Sequence, residues 1–393
     1  MANKHLPHDL KQMQSLPLEA KIRMSEQRIK VWFESWTRFE IYNEVTGKTR
    51  FATIDTRGFG TEPPLKENER IESAVDGQVY VSFSGGKDST VLADLCARVC
   101  REYGWTLYLL FVNTGLEYPE IQKFVKVYAE WLRNTYKIEV VLSIVRPEMR
   151  FDEVVKKYGY PLISKAVAHA VKIARRNPSG KVMQNLFNPE NKGRFGFYKW
   201  TFLIDSEIPI SEECCNVMKK TPAKKYTKET GRKPLLGTLA NESSLRYSSW
   251  LKKGCNAFDG KNPSSQPLSF WTEQDILHYI KKYNVPYCSV YGDIQIKAKK
   301  GFEEQVNMID FLDCYETEDI LETTGCDRTG CIFCMFGCHL EKEPNRFQRL
   351  KQTHPKQYEY CIGGGEMVDG KWQPNKEGLG LGKVLDYIGV KYD

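Results

Sequence analysis

Val79-Tyr80-Val81-Ser82-Phe83-Ser84-Gly85-Gly86-Lys87-Asp88-Ser89-Thr90 decides the fold. Val79–Val81 reads as a buried strand, and Val91, Leu92, Leu95, Cys96 and Val99 then recur at helical spacing. Strand, glycine turn and helix in that order set backbone N–H groups and a helix N-terminus around an anion. Gly85 and Gly86 let the backbone approach a phosphate, Ser82, Ser84 and Ser89 offer hydroxyls, and Lys87 adds a point charge. Asp88, at the helix start, is placed to orient a metal or the loop. The spacing is not the G-x-x-x-x-G-K-[ST] of the longer Walker loop. The bland alternative is a glycine turn with no ligand.

With 393 residues the chain has room for two domains, and a 41% hydrophobic content is ordinary for a globular protein. No apolar run reaches spanning length and residues 1–10 are polar, so a cytoplasmic protein with no membrane partner is expected. A formal charge of +7 suits nucleic acid, polyphosphate or anionic sulfur compounds alike. Twelve cysteines in such a chain are not a disulfide framework. Cys96 and Cys100 read as core residues, and Cys255, Cys288 and Cys314 as isolated buried thiols.

Residues 15–36 read as one long amphipathic helix, and residues 39–42 and 51–54 flank Val45-Thr46-Gly47-Lys48 as a hairpin. Residues 58–69 read as a polar linker. From about residue 78 the pattern is α/β: a continuous apolar strand at 107–112, a helix at 121–136, a strand at 138–145, a short helix at 151–158. That alternation predicts a doubly wound parallel sheet with its ligand at the strands' carboxyl ends. The expected segments are an N-terminal helix and hairpin (1–75), the α/β domain (76–300) and a Cys-rich C-terminal region (301–393). Residues 177–199 look like an insertion or lid, Thr272 caps a helix to residue 283, residues 368–372 suggest a hairpin, and 378–383 a turn into a last helix.

Cys214-Cys215 and Cys331-x-x-Cys334 together offer four thiolates, enough for an iron–sulfur cluster or a zinc ion. Cys326 and Cys338 are alternates, and Cys326, Cys331, Cys334 and Cys338 could form a local zinc knot unaided. Spacing alone leaves the two metals open.

The loop at 84–89 resembles the S-G-G-K-D-S pyrophosphate (PP) loop of the adenine-nucleotide alpha hydrolases, which cleave ATP between the α and β phosphates or hold a sulfonucleotide there. Cys214-Cys215-Asn216-Val217-Met218-Lys219-Lys220-Thr221-Pro222 resembles the C-C-x-x-x-K-x-x-P segment of iron–sulfur adenylylsulfate reductases. Residues 113–120 resemble T-G-x-x-F-P-E-T, and residues 237–246 resemble G-x-R-x-x-E-S-x-x-R with Leu239 at the first arginine. Residues 267–276 with Val285-Pro286-Tyr287 resemble P-L-x-x-W-x-x-x-D-[IV] and [IV]-P-Y. In this order, over about residues 78–340, the motifs are similar to those of the phosphoadenylylsulfate (PAPS) reductase family.

The resemblance implies a Rossmann-like domain and a [4Fe–4S] cluster on Cys214, Cys215, Cys331 and Cys334, with Lys219 beside it. It implies nucleotide contacts from Thr114, Gly115, Glu117, Gly237, Glu242 and Ser243, and Arg246 against an anionic substrate. Two departures count. The PP loop is complete, where the reductases usually carry a degraded one. The reductases' C-terminal E-C-G-x-H is missing: the last cysteine is Cys361, and Cys338-His339 lacks the Glu and Gly.

Three functions follow as expectations. The first is ATP pyrophosphatase chemistry with Mg²⁺, adenylating an acceptor such as a tRNA base or DNA phosphate, coupled to cluster-assisted sulfur transfer from a donor such as a cysteine desulfurase. The iron–sulfur sulfurtransferases of DNA phosphorothioation are relatives of that kind. The second is reduction of PAPS or adenylylsulfate through Cys361, with Cys338 a weaker candidate nucleophile, Arg246 and Lys219 neutralising the sulfate and a thiol reductant completing the cycle. The third is a nucleotide-binding module pinned by a structural cluster. The basic stretch 219–233, with Tyr226, and the group Lys172, Arg175 and Arg176 read first as solvated faces, and otherwise as tracks for a phosphate backbone.

Overall fold

Apolar runs need cover on both faces, and the Val79–Ser82 and Leu107–Val112 strands have it. In the computed structural model they lie side by side in parallel, Val81 opposite Leu109, inside a six-stranded sheet. The structure describes residues 3–53, 62–75, 77–191, 193, 196–260, 262–297 and 319–393. Ile54, Cys314 and the first part of the expected linker lie outside these.

The chain divides into two units, neither continuous in sequence. The first comprises Met1–Phe111, Pro119–Ile144 and Tyr226–Thr329; the second comprises Val112–Tyr118, Val145–Lys225 and Gly330–Asp393. This division cuts across the consecutive segments 1–75, 76–300 and 301–393 expected from the sequence.

In the first unit the strands are ordered Val140–Val145, Leu107–Val112, Val79–Ser82, Lys233–Leu236, Ser264–Ser265, Asn256–Ala257. Val79–Ser82 is also parallel to Lys233–Leu236, and Ser265 pairs in parallel with Leu235; the Ser264–Ser265 and Asn256–Ala257 pair is antiparallel. Helices Lys87–Tyr103 and Pro119–Tyr136 link the first three strands, and the chain then returns on the far side of Val79–Ser82. The order therefore reverses between Val79–Ser82 and Lys233–Leu236, the point where a doubly wound sheet binds its ligand.

The Lys87–Tyr103 helix has Asp88 in its first turn and Arg101 in its last, and Gly104 at φ 71° closes it by donating its N–H to Cys100 O. Val91, Leu92, Leu95, Cys96 and Val99 are buried, as their spacing predicts. The buried Asp94 carboxylate accepts from Tyr136 Oη at 2.8 Å and Tyr279 Oη at 2.6 Å.

The expected 15–36 helix forms as Leu18–Trp36, with Pro17 at its start, and a separate short helix, Pro7–Gln14, precedes it. Ile22, Ile29, Trp32 and Phe33 are buried along it. Two polar ties anchor it. Lys21 Nζ lies 2.8 Å from both carboxylate oxygens of Asp275, and Ser25 accepts from Trp271 Nε1 at 2.9 Å while donating to Pro267 O at 3.0 Å. The expected hairpin forms from Arg38–Asn43 and Thr49–Thr53, and a third strand, Glu69–Val75, pairs antiparallel with the first. Thr272 opens helix Glu273–Tyr283 with a capping box: its hydroxyl accepts from Asp275 N–H at 3.2 Å, and the Asp275 carboxylate accepts from Thr272 N–H at 2.6 Å.

The second unit packs Val154, Tyr160, Leu162, Met335, Phe347, Leu350, Cys361 and Leu385 into one core. Leu162–Ile163 pairs in parallel with Met335–Phe336. Part of the expected lid belongs to this core: Lys181–Leu186 is helical, and Phe187 and Phe197 are buried. The late hairpin is Glu366–Val368 with Lys371–Gln373, and the glycine turn leads into helix Leu381–Tyr387.

The Lys21–Asp275 pair is almost wholly buried, with side-chain exposures of 3% and 12%. Removing one partner strands the other charge, so Lys21→Ala should lose about 3–5 kcal/mol of stability in urea titration. A loss below about 1 kcal/mol would show that Asp275 is satisfied by its cap alone.

Candidate nucleotide loop and thiol centre

At the strand-order reversal in the first unit, Gly85 turns the chain at φ 74°, where a Cβ would lie 2.9 Å from Ile121 Cγ2. The turn is tied internally. Ser84 Oγ lies 3.0 Å from Ser89 Oγ, Ser84 N–H donates to Ser89 Oγ at 3.2 Å, and Ser89 Oγ donates to Gly86 O at 2.9 Å. Lys87 N–H donates to Tyr291 Oη at 3.1 Å. The buried Lys87 ammonium is held by Glu273 at 2.6 Å and by Asp327 O. Burial raises the pKa of Asp88; Lys87, Arg328 and Arg246 oppose that, and Glu273 adds to it.

Gly237 follows the neighbouring strand. A Cβ there would sit 2.9 Å from Asp88 O and 3.0 Å from Ser89 N, so only glycine lets this strand end approach the first turn of helix Lys87–Tyr103 this closely. Ser243 caps helix Ser244–Lys253 by accepting from Arg246 N–H at 3.3 Å. Glu242 pairs with Arg246 and, at 3.3 Å, with Arg328. Burial lowers the Arg246 pKa, and the like charge of Arg328 adds to that. Ser82 ends its strand opposite Leu110 and Leu236. Tyr291, Glu273 and Arg328 escaped the sequence reading. For Arg328 the one local signal was its place three residues before Cys331.

In the second unit Cys214, Cys215, Cys331, Cys334 and Lys219 line one cavity, walled by Leu116, Phe151, Pro161 and Met218. A π-helical turn, Asn216–Lys220, follows the paired cysteines and carries Lys219. The Cys331-x-x-Cys334 turn closes through Cys334 N–H to Cys331 O at 3.0 Å. Cys214 and Cys215 sulfurs are 3.9 Å apart. The hydrogen bond from Cys214 lowers the Cys215 pKa to about 6, with Lys165 and Lys219 assisting, and raises that of Cys214. Burial raises Cys331 to about 11 and raises Cys334. Burial also works against the Lys219 ammonium, but Cys331, Glu117 and Cys215 outweigh it and hold its pKa above the ordinary value. Lys165, at the start of helix Lys165–Arg176, is a further residue the sequence did not flag.

No group of three or more His, Cys, Asp or Glu among the described residues is arranged around a single ion. The four thiols border a cavity instead, and an all-thiolate donor set with a dry wall and one compensating ammonium fits an iron–sulfur cluster.

Thr114, Gly115 and Glu117, expected at the nucleotide, belong to the unit that carries the thiols. Glu117 braces its own turn, accepting from Thr114 Oγ1 at 2.7 Å and Thr114 N–H at 3.0 Å. Cys326 falls in the first unit, its N–H on Val290 O, so the four-cysteine knot with Cys331, Cys334 and Cys338 does not assemble within either unit. Cys338 is buried, donates to Met335 O at 3.0 Å and is pushed up to about 12 by burial. Cys361 is fully buried, and burial pushes its thiol well above the usual range, so it is placed as a core residue and not as an exposed nucleophile. Lys172 pairs with Glu212 and Glu213, and Arg175 donates to Leu203, Ile204 and Ser206 carbonyls, so these two serve local structure.

The sheet order and the glycine loop at its reversal define a nucleotide-type, doubly wound α/β protein. A model of the phosphoadenosine phosphosulfate reductase domain matches residues 78–186 and 165–336, and the chain belongs to that family, whose members are typically nucleotide-using enzymes. A search of curated proteins returned no match. Among solved structures, the NMN synthetase of Francisella tularensis aligns at 15% identity over 53% of this chain and 62% of that one, with a TM-score of 0.25. The chain thus spans less than two thirds of that protein's length, and the likeness carries no further argument. No helix among the described residues is long and apolar enough to cross a membrane.

Gly237→Ala should cost about 1–3 kcal/mol, because the added methyl meets backbone atoms that cannot swing away. Urea unfolding measures the cost. A neutral outcome would mean that the strand end and the helix's first turn part without penalty.

Proposed function

We propose that the protein is a PP-loop ATP pyrophosphatase that adenylates an acceptor oxygen and couples this to sulfur transfer assisted by an iron–sulfur cluster. The observation that carries the reading is a complete Ser84–Ser89 loop at the sheet's reversal, in a chain whose four thiols and Lys219 line a cavity of their own. Ser84, Gly85, Gly86, Lys87 and Ser89 bind the β and γ phosphates; Asp88 would orient a Mg²⁺ ion arriving with ATP, which would supply charge neutralisation there. The acceptor oxygen bonds to the α-phosphorus, the bond to the β-phosphate oxygen breaks, and pyrophosphate leaves with that electron pair. Lys87, once released from Glu273 and Asp327 O, neutralises the departing charge. Arg246, positioned by its ion pair with Glu242, faces the α-phosphate side.

Cys214, Cys215, Cys331 and Cys334 would hold the cluster, and a [4Fe–4S] cluster bound there supplies electrons and a soft centre for sulfur. Lys219 balances the thiolate charge, and Leu116, Phe151, Pro161 and Met218 exclude water. The acceptor is a nucleic acid, tRNA or DNA, and the donor a persulfide-forming partner such as a cysteine desulfurase. The protein is cytoplasmic.

Sulfonucleotide reduction is the second reading, and it needs an accessible cysteine. Among the described residues outside the cavity, Cys96, Cys100, Cys255, Cys288, Cys338 and Cys361 are buried and Cys326 is half-buried. That favours the first reading.

Anaerobically purified protein should be brown and contain about four iron and four sulfide, and Cys215→Ser or Cys331→Ser should lower both. One zinc without sulfide overturns the cluster. With labelled ATP, pyrophosphate release should rise on adding tRNA or DNA, and Lys87→Ala should lower kcat at least about a hundredfold. Sulfite from PAPS with no ATP turnover would establish the reductase instead, and nucleotide binding without turnover the binding module.

A further inference from the structure

We propose that Arg328 is a phosphate-clamping residue of the nucleotide site, carried on a strap, Asp327-Arg328-Thr329, which with Tyr291 covers the loop until the nucleotide displaces it. The inference deepens the nucleotide reading above and rests on it.

Both donors of Lys87 are taken by protein groups. Lys87 N–H donates to Tyr291 Oη at 3.1 Å, and that hydroxyl lies 2.8 Å from Thr329 Oγ1. A Cβ on Gly86 would be 3.0 Å from Thr329 Oγ1 and 3.3 Å from Tyr291 Oη, so both hydroxyls press on the glycine face that an anion would approach. Asp327 O accepts from Lys87 Nζ, which places a carbonyl oxygen where the loop's cation meets a ligand oxygen. Tyr291 is buried, 2% exposed, with its ring 5.4 Å from Lys87 Nζ.

The arginine between these contacts points to what replaces them. Arg328 and Arg246 share one carboxylate, Glu242, and Arg328 keeps 61% of its side chain exposed. A carboxylate shared by two guanidinium groups balances the charge of only one. A phosphate chain offers the bidentate oxygens that guanidinium groups prefer, and its entry relieves their repulsion. The strap's hydroxyl and carbonyl oxygens thus stand in for phosphate oxygens in the free protein, and Arg328 exchanges Glu242 for the ligand when they leave.

The test is calorimetric binding of Mg·ATP and of AMP to the full chain and its variants, each checked for native unfolding. Arg328→Ala should weaken ATP at least about tenfold and AMP less than about threefold, with Arg328→Lys between. Tyr291→Phe should tighten ATP, because the Lys87 N–H then lacks its partner in the free protein and regains one from phosphate. Equal losses for ATP and AMP in Arg328→Ala, no loss at all, or weaker ATP binding by Tyr291→Phe would overturn the clamp while leaving nucleotide binding intact. Wild-type protein that binds no ATP would overturn the nucleotide reading and the clamp with it.

Discussion

Everything at the sheet's reversal depends on three glycines accepting close backbone contact. Gly85 supplies the positive φ and fits against Ile121 and Val125; Gly237 lets the next strand's end lie against Asp88 and Ser89; Gly86 leaves its open face to Tyr291 and Thr329. A side chain at any of these positions would push the helix away from the sheet or close the face an anion needs. The helix N-terminus gains its value only because it is held there, with Lys87 N–H on the Tyr291 hydroxyl and the loop's Ser84 and Gly86 N–H groups on the Ser89 and Ser84 hydroxyls. Hydroxyls are exchangeable partners. They satisfy buried N–H groups at little cost and give way to a stronger acceptor.

The thiol cavity poses the opposite problem, since its groups repel one another when ionised. Burial pushes Cys331 and Cys334 up, while the hydrogen bond between Cys214 and Cys215 raises the first and lowers the second. Lys219 is the counterweight, kept charged against burial by Cys331, Glu117 and Cys215. An ammonium inside an apolar wall is costly unless anions face it. The lysine and the thiols therefore make sense only together, and a ligand that fixes the thiolates as anions strengthens the arrangement.

How far the sequence could be read depended on how local the determining physics was. The Val79–Thr90 stretch was legible because strand, turn and helix are each set by adjacent residues. So was the Thr272 cap, a T-x-x-D box, and the hairpin around Val45–Lys48. The Glu69–Val75 strand was missed because Glu69, Arg70 and Glu72 give it no apolar face, and its burial is slight. The two-residue strands Asn256–Ala257 and Ser264–Ser265 carry no periodicity. Arg328 and Tyr291 reach the loop from distant segments, and no spacing rule announces that. Glu117, whose motif suggested nucleotide, has its carboxylate on its own turn and beside the Lys219 charge, a second contact that its motif did not announce. Cys361 looked like a nucleophile by position alone; its burial is a tertiary fact.

The discontinuity of the second unit explains why the thiol motifs lie so far apart in sequence. Residues 112–118 supply Leu116 and Glu117, residues 145–225 supply Phe151, Pro161, the paired cysteines and Lys219, and residues 330–393 supply Cys331 and Cys334. Each piece enters from a different turn of the chain, and bringing them together closes long loops at an entropic cost that grows slowly with their length. Ile332 N–H to Leu116 O at 2.8 Å and the short Leu162–Ile163 pairing with Met335–Phe336 are modest ties for that work. A centre bonded to thiolates from two of the three pieces would add its binding free energy directly to the folded state. The cavity is thus where this unit gains most from a ligand, whatever chemistry the ligand then performs.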